Sequence, residues 1–96
     1  MKSFNKLSHA QIERLAILAE ECGETIQAAM KIIRRGYDRK HPRTPGPTNR
    51  LHLEDEIGNV LNAVEMLVTA GDVRQNKIQA SLESKRERVK KYLYHN

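Results

Sequence analysis

Apolar residues recur every three or four positions along the first third of the chain, which is the spacing of one face of a helix. They form a stripe made of Ile12, Leu15, Ala19, Cys22, Ile26, Ala29, Met30 and Ile33. Ser8 and Gln11 match a capping box at the N-terminal end of this stretch, and Gly36 suits a left-handed C-cap at the other. The pattern therefore predicts a helix over residues 9–35.

A second stretch with the same spacing predicts a helix over residues 50–70, with Thr48 or Asn49 as its N-cap. Its apolar stripe consists of Leu53, Ile57, Val60, Leu61, Val64, Leu67 and Val68. All three prolines lie within residues 37–49, between the two stretches, which predicts a loop there.

A third helix is predicted over residues 73–94, with Asp72 and Gln75 as its capping pair. Its apolar positions are Ile78, Leu82, Val89 and Leu93. No segment alternates as a strand would, and no repeat occurs. The expected fold class is all-α, a helical bundle of three main helices.

A chain of 96 residues is expected to form one domain, spanning 1–96, with a small core of its own. Three helices that each carry two partly apolar faces cannot bury all of that surface in one subunit. We therefore expect a homo-dimer or homo-tetramer, with the partner chain completing the functional pocket.

The single cysteine, Cys22, excludes an internal disulfide, and its place in the stripe predicts a small buried residue. The four histidines are expected to be superficial. Neither a signal peptide nor an apolar run of about 20 residues is present, so we expect a cytoplasmic protein with no membrane contact.

Basic residues exceed acidic ones by 17 − 12 = +5, which favours a polyanionic partner, either nucleic acid or a phosphate-bearing small molecule. The acids are unevenly placed. Six of the twelve lie in two short clusters, Glu20, Glu21 and Glu24 in the first helix and Glu54, Asp55 and Glu56 in the second.

The acids share faces with small apolar residues. Opposite the main stripe, the first helix carries Ile17, Glu21, Glu24 and Ala28. The second helix likewise carries Glu56, Asn59, Ala63, Met66 and Ala70 beside its stripe.

A single glutamate on a helix most often makes a surface ion pair, but antiparallel packing of these two faces would gather four oxygen ligands, from Glu21, Glu24, Glu56 and Asn59. Clustered carboxylates repel one another unless a cation neutralises them, and hard oxygens favour Mg²⁺, with Mn²⁺ as an alternative.

Two segments carry a resemblance to a known family. Glu20-Glu21-Cys22-Gly23-Glu24, followed by Glu56-Ile57-Gly58-Asn59, resembles the helical motifs EExxE and ExxD of the all-α NTP pyrophosphatases. This is the MazG-like group, which includes dimeric dUTPases and phosphoribosyl-ATP pyrophosphohydrolase. The resemblance covers roughly residues 10–90. It implies a Mg²⁺-dependent enzyme that hydrolyses a nucleoside triphosphate to the monophosphate and pyrophosphate.

The resemblance also implies roles for individual residues. Glu21, Glu24 and Glu56 would hold Mg²⁺, with Asn59 as a neutral fourth ligand, and Glu20 would position or deprotonate water, beside Glu21 in the catalytic pair. Apart from the resemblance, Asn62, one turn beyond Asn59, could reach a base or sugar edge, because an amide can pair with either donors or acceptors. The basic side chains expected to meet the phosphates are Lys77, Lys85, Arg86 and Arg88. For each of these four, a solvated helix face is the plainer alternative.

One position departs from the family pattern, because Asn59 stands where the motif ends in aspartate. An amide oxygen still binds a metal but brings no charge. Asp55, one turn earlier, is a possible substitute.

A homologue that binds nucleotide or metal without turnover is therefore one rival interpretation. A small basic nucleic-acid-binding protein is another, which leaves the clustered acids unexplained. A di-iron bundle is disfavoured because no Glu-x-x-His pair occurs.

Overall fold

Three helices form in the part of the chain that the computed structural model describes, residues 4–39 and 46–95. They are α1 (His9–Arg35), α2 (Asn49–Thr69) and α3 (Gln75–Val89). No strand occurs in these residues, so the all-α class is confirmed. The predicted bounds of α1 agree with the structure, and those of α2 agree within one residue. The middle of the predicted loop, residues 40–45, and His41 with it, lies outside the described residues.

Local hydrogen bonds explain why α1 begins and ends where it does. The Gln11 backbone N–H donates to the Ser8 hydroxyl at 3.1 Å, and the Ser8 N–H donates to Gln11 Oε1 at 2.8 Å, which confirms the capping box. At the other end, Gly36 has φ 90° and ψ 165°. Glycine is favoured at such a positive φ, although its ψ is extended and not the left-handed helical value that was predicted.

The third helix is shorter than predicted at both ends. The predicted capping pair does not form: Arg74 is the N-cap residue, and it makes no side-chain capping bond. The Asp72 carboxylate is engaged elsewhere, because Arg14 on α1 donates to it from Nε at 2.6 Å and from Nη2 at 3.2 Å. The predicted C-terminal turns of α3 are not stabilised by packing, because α3 makes almost no contact with the other helices and Leu93 is 56% exposed.

The packed part of the molecule is the antiparallel pair of α1 and α2. Their contacts run in opposite directions along the chain, from Asn49 beside Gly36, through Thr25 beside Glu56, to Arg14 beside Asp72. The radius of gyration is 17.0 Å, well above the roughly 12.5 Å of a compact chain of this length. The chain by itself is therefore an open arrangement, in which α3 adds little to the core.

α1 packs on α2 through its mixed acidic and small-residue face and not through its main apolar stripe. Ala28 of α1 and Ala63 and Leu67 of α2 are buried, so the mixed acidic and small-residue faces meet. The predicted main stripe of α1 is exposed, with Ile26 at 65% and Ile33 at 74%. Cys22 is exposed as well, so the prediction that it is buried was wrong. Small side chains such as Ala28 and Ala63 let α1 and α2 approach closely at this contact.

The contact between Arg14 and Asp72 joins the end of α2 to α1 and predicts a pH effect on stability. This guanidinium holds the pKa of the Asp72 carboxyl below its usual range. The contribution of this contact to the free energy of unfolding is therefore fully present above the unfolded-state pKa of Asp, about 3.9. It is lost as the pH falls through the lower folded-state pKa. We expect Asp72→Asn to lower the Tm at neutral pH and to flatten its decline in acid, as thermal unfolding followed by circular dichroism at pH 2–7 would measure.

Asp38 provides a matched control for that experiment. It also pairs with an arginine, Arg50, at 3.3 Å, but its side chain is 83% exposed. Solvent screens such a pair, and Asp38→Asn should change the Tm less than Asp72→Asn does. Equal losses in the two variants would contradict a specific role for the contact between Arg14 and Asp72.

Candidate metal centre

Three carboxylates from two helices meet between α1 and α2. One oxygen from each of Glu21, Glu24 and Glu56 can be chosen so that all three lie within 4.8 Å of one another. Glu21 and Glu24 are three residues apart and project from the same turn of α1. Glu56 is brought to them by the antiparallel packing of α2. The described residues contain no other group of three or more His, Cys, Asp or Glu side chains at such distances.

A threonine fixes the two helices at the level of this cluster. The Thr25 hydroxyl donates to the backbone carbonyl of Glu21 at 2.8 Å, within α1. The same hydroxyl is 3.4 Å from the backbone carbonyl of Glu56 on the other helix. No role for Thr25 was predicted, because a hydroxyl that bonds across a helix pair has no signature in its own sequence.

Two oxygens of the cluster are buried without a hydrogen-bond partner among the described residues. These are Glu21 Oε2 and Glu56 Oε2. Glu56 as a whole is only 9% exposed, although it is a charged residue. Burying a polar atom unsatisfied costs about 1–3 kcal/mol, and more when the group is charged. A ligand that accepts electron pairs from both oxygens would remove this cost.

The electrostatics of the cluster favour a bound cation. A hydrogen bond to Glu56, then the negative charge of Glu56, and then that of Glu21 raise the pKa of the Glu24 carboxyl. Without a cation, the cluster therefore tends to retain a proton, because close carboxylates cannot all ionise at low cost. A divalent cation would displace that proton, so its affinity should rise with pH through the raised pKa of Glu24.

His52 contacts the cluster through Glu56. Its Nε2 is 3.4 Å from Glu56 Oε1, and its side chain is 34% exposed. His52 is half-buried, whereas His9 and His95 are exposed, as expected. The spacing of four residues between His52 and Glu56 was a usable signal, since it places both on one side of α2.

The other predicted ligands and the predicted base lie on exposed surface near the cluster. Glu20 is exposed, and its charge is close enough to contribute to the raised pKa of Glu24. Asn59 is exposed one turn beyond Glu56. Asp55 is also exposed, and the structure does not bring its carboxylate into the group.

Asn62 lines an open groove of about 420 Å³ beside the helix pair. The other lining residues are Arg14, Glu65, Met66, Thr69 and Ala70. The amide nitrogen of Asn62 is 3.6 Å from the Met66 sulfur, a weak contact that a stronger acceptor would replace. The groove begins about 9 Å along α2 from Glu56, since six residues separate Glu56 from Asn62.

The predicted phosphate-binding residues are not brought to the acids within one chain. All four are exposed on α3, which makes almost no contact with the helices that carry the cluster. They are Lys77, Lys85, Arg86 and Arg88. If these residues meet the phosphates, they must come from another copy or from a different placement of α3.

Comparison of the chain with models of known protein families, with curated proteins and with solved structures gave no match. The family resemblance therefore depends on the two motifs alone. The same holds for every residue role that the resemblance implies.

The donor set fits a small divalent cation. All three close donors are carboxylate oxygens, and two of them have buried atoms without partners. Hard oxygen ligands of this kind suit Mg²⁺ or Mn²⁺, while soft sulfur ligands are lacking. Cys22 belongs to neither the group nor its neighbourhood on α1, because its side chain lies about 100° around the helix from Glu21.

No helix in the described residues is both long enough and apolar enough to cross a bilayer.

Proposed function

We propose that the protein is a Mg²⁺-dependent nucleoside triphosphate pyrophosphohydrolase. It converts a nucleoside triphosphate and water into the nucleoside monophosphate and pyrophosphate. The observation that carries this proposal is the pair of buried carboxylate oxygens, on Glu21 and Glu56, that have no partner among the described residues and share one cluster with Glu24. Membership of the MazG-like all-α group is part of the same proposal.

Glu21, Glu24 and Glu56 would hold the cation, with Asn59 as a neutral oxygen ligand at the exposed side. When bound, Mg²⁺ supplies positive charge to the phosphate oxygens and makes water more acidic. Mn²⁺ prefers similar oxygen ligands and is an alternative. The chain's own contribution is to hold three negative groups in place, because Thr25 and the helix packing fix their backbone.

Hydrolysis at the α-phosphorus requires a base for the attacking water. Glu20 lies at the exposed edge of the cluster and is proposed to orient this water and accept its proton. The oxygen of the water then bonds to the α-phosphorus, and the bond from that phosphorus to the bridging oxygen of pyrophosphate breaks. Glu21 acts with Glu20 by holding the cation on the same turn of α1.

The substrate also needs partners for its base, its sugar and its departing pyrophosphate. The amide of Asn62, at the rim of the groove, can pair with either donors or acceptors on a base or sugar. Positive charge for the phosphates is proposed to come from Lys77, Lys85, Arg86 and Arg88 of another copy in a homo-dimer or homo-tetramer. A cytoplasmic location suits such a substrate.

The proposal is tested by measuring pyrophosphate release from a panel of canonical and modified NTPs and dNTPs. The purified full chain is assayed with Mg²⁺, with Mn²⁺ and with excess EDTA. We expect release with at least one substrate and its loss in EDTA. Activity that persists in EDTA would reject the metal-dependent mechanism, and the absence of release from every substrate would reject the hydrolase.

A homologue that binds without turnover is the second candidate, and Asn59 is the observation that favours it. Restoring the charge with Asn59→Asp should tighten Mg²⁺ binding by roughly tenfold, because a carboxylate replaces a neutral oxygen ligand. Isothermal titration of Mg²⁺ measures this change, and the pyrophosphate assay shows whether turnover rises with it.

Asn62→Asp is the matched control for Asn59→Asp. It adds the same charge to the same helix, one turn further from Glu56, and should leave the affinity for Mg²⁺ nearly unchanged. Release by the unmodified chain would reject the inactive homologue. Release that appears only in Asn59→Asp would favour it. If both variants bind Mg²⁺ like the unmodified chain, position 59 is not a ligand.

A further inference from the structure

The exposed face of α1 is apolar along its whole length. We call it the α1 stripe, the eight residues Ile12, Leu15, Ala19, Cys22, Ile26, Ala29, Met30 and Ile33. Its large members are substantially exposed, from 40% for Ile12 to 74% for Ile33. No charged residue of α1 falls within about 60° of the centre of the stripe, in a chain of which 30% is charged. A single chain leaves this face to solvent, which is unusual for a monomer.

We propose that a second copy of this chain covers the α1 stripe, with the two α1 helices antiparallel and a two-fold axis passing between Cys22 and Gly23. The proposal extends the oligomeric assembly proposed above. It does not depend on the hydrolase chemistry, so either can fail without the other.

The order of residues along the stripe is self-complementary about that axis. A two-fold axis makes residue i of one copy face residue j of the other, and residue j of the first face residue i of the second. The midpoint of the stripe is between positions 22 and 23, so facing positions sum to 45. Six of the eight residues then pair within the stripe, Ile12 with Ile33, Leu15 with Met30, and Ala19 with Ile26, while Cys22 and Ala29 face Gly23 and Ala16. The smallest of these six side chains, Ala19, thus faces a large one, as interdigitating helices require.

Gly23 supports the position of the axis. Glycine in the middle of a helix is unfavourable relative to alanine. Nothing in the chain itself requires it there, since a Cβ added at Gly23 would meet no atom within 4 Å. The missing side chain leaves room for a second backbone to approach at this point.

Exposed apolar residues of α2 extend the face that the α1 stripe presents. The α1 stripe is about 32 Å long and about 10 Å wide, or roughly 320 Å² per copy, whereas a stable dimer buries about 800 Å² per partner. Ile57 and Leu61 of α2 are 44% and 63% exposed. Helical geometry places them on the same side of the pair as Cys22, where they widen the face.

The α1 stripe and the carboxylate cluster lie on different sides of α1. The centre of the stripe is roughly 140° around the helix from Glu21. A second copy on the stripe therefore leaves the cluster open to ligands. The dimer can form with or without metal, and its tests need no enzymatic activity.

The first test measures the oligomeric state by sedimentation velocity. We expect the full chain to form dimers or larger even-numbered oligomers at micromolar concentration, and Ile26→Glu to weaken dimerisation by at least about 100-fold, because it places two charges next to the axis. Leu51→Glu is the matched control, since Leu51 is also exposed, at 51%, but lies on the far side of α2. A monomeric unmodified chain, or equal effects of the two variants, would overturn the proposal. Circular dichroism checks that both variants stay helical.

The second test decides the direction of the two helices by disulfide formation. In a Cys22→Ser background, Ile12→Cys and Ile33→Cys are made separately, each with one cysteine per chain. After subunit exchange, mild oxidation of the mixture should give a linked dimer, whereas neither variant alone should do so. In the antiparallel dimer of a single variant, the two copies of the same cysteine are about 30 Å apart, which is too far for a disulfide. Linkage within each variant alone would show parallel helices, and no linkage in the mixture would also reject this axis.

Discussion

Glu56→Gln is expected to reduce pyrophosphate release by roughly 100-fold or more, the loss typical when one group that stabilises charge is removed from an active site. Glu56 is the most buried member of the cluster, and its Oε2 has no partner among the described residues. Glutamine preserves the shape but removes the charge that would hold the cation. Initial rates at saturating Mg²⁺, together with Mg²⁺ titration, measure the loss.

Glu54→Gln is the control for Glu56→Gln. It makes the same chemical change two residues earlier on α2, at an exposed side chain, and should leave the rate within about twofold, as surface substitutions usually do. The fold should survive both changes, because removing a charge from a cluster of like charges relieves repulsion. An undiminished rate in Glu56→Gln, with helices intact, would remove Glu56 from the proposed site.

Mg²⁺ is expected to raise the Tm of the unmodified chain substantially. A ligand that binds only the folded state at 100 times its Kd adds about 2.7 kcal/mol to the free energy of unfolding. For a domain of this size, that corresponds to roughly 10–20 °C. The physical source is the removal of repulsion among Glu21, Glu24 and Glu56, whose oxygens lie within 4.8 Å of one another. Differential scanning fluorimetry with increasing MgCl₂ measures the shift.

Two controls separate site binding from general screening. NaCl at matched ionic strength should raise the Tm much less, because a monovalent ion screens charge without filling the cluster. In Glu56→Gln the shift with Mg²⁺ should shrink to the value seen in NaCl. A wild-type shift no larger with Mg²⁺ than with NaCl would mean that the cluster holds no divalent cation under these conditions.

Much of the fold and part of the candidate site follow from local sequence. The capping box of Ser8 and Gln11 and the helical spacing locate α1, since these interactions involve residues within one or two turns. The same locality explains why Glu21 and Glu24 were correctly expected to lie side by side, as a spacing of three residues on a helix fixes their direction. Their meeting with Glu56 was an expectation about packing, which the structure bears out.

Features that depend on residues far apart in the chain were harder to predict. Asp72 was expected to cap α3, but its carboxylate binds Arg14, 58 residues earlier, and α3 begins without a side-chain cap. Arg14 donates two charge-assisted hydrogen bonds to Asp72, and a partner so far away in the chain cannot be found by local spacing. The contact of the Thr25 hydroxyl with the backbone of Glu56 belongs to the same class.

By itself, the sequence determined where the first two helices lie and that each of them has two partly apolar faces, because periodicity depends only on the helix repeat. Only the tertiary structure decided which face is inside. Hydrophobicity alone favoured the α1 stripe, yet the face of Ala28 and the acids packs on α2, and Ile26 and Ile33 remain exposed. The reason is that burial depends on how closely two surfaces fit, and small residues around three acids allow a closer approach than a row of large side chains.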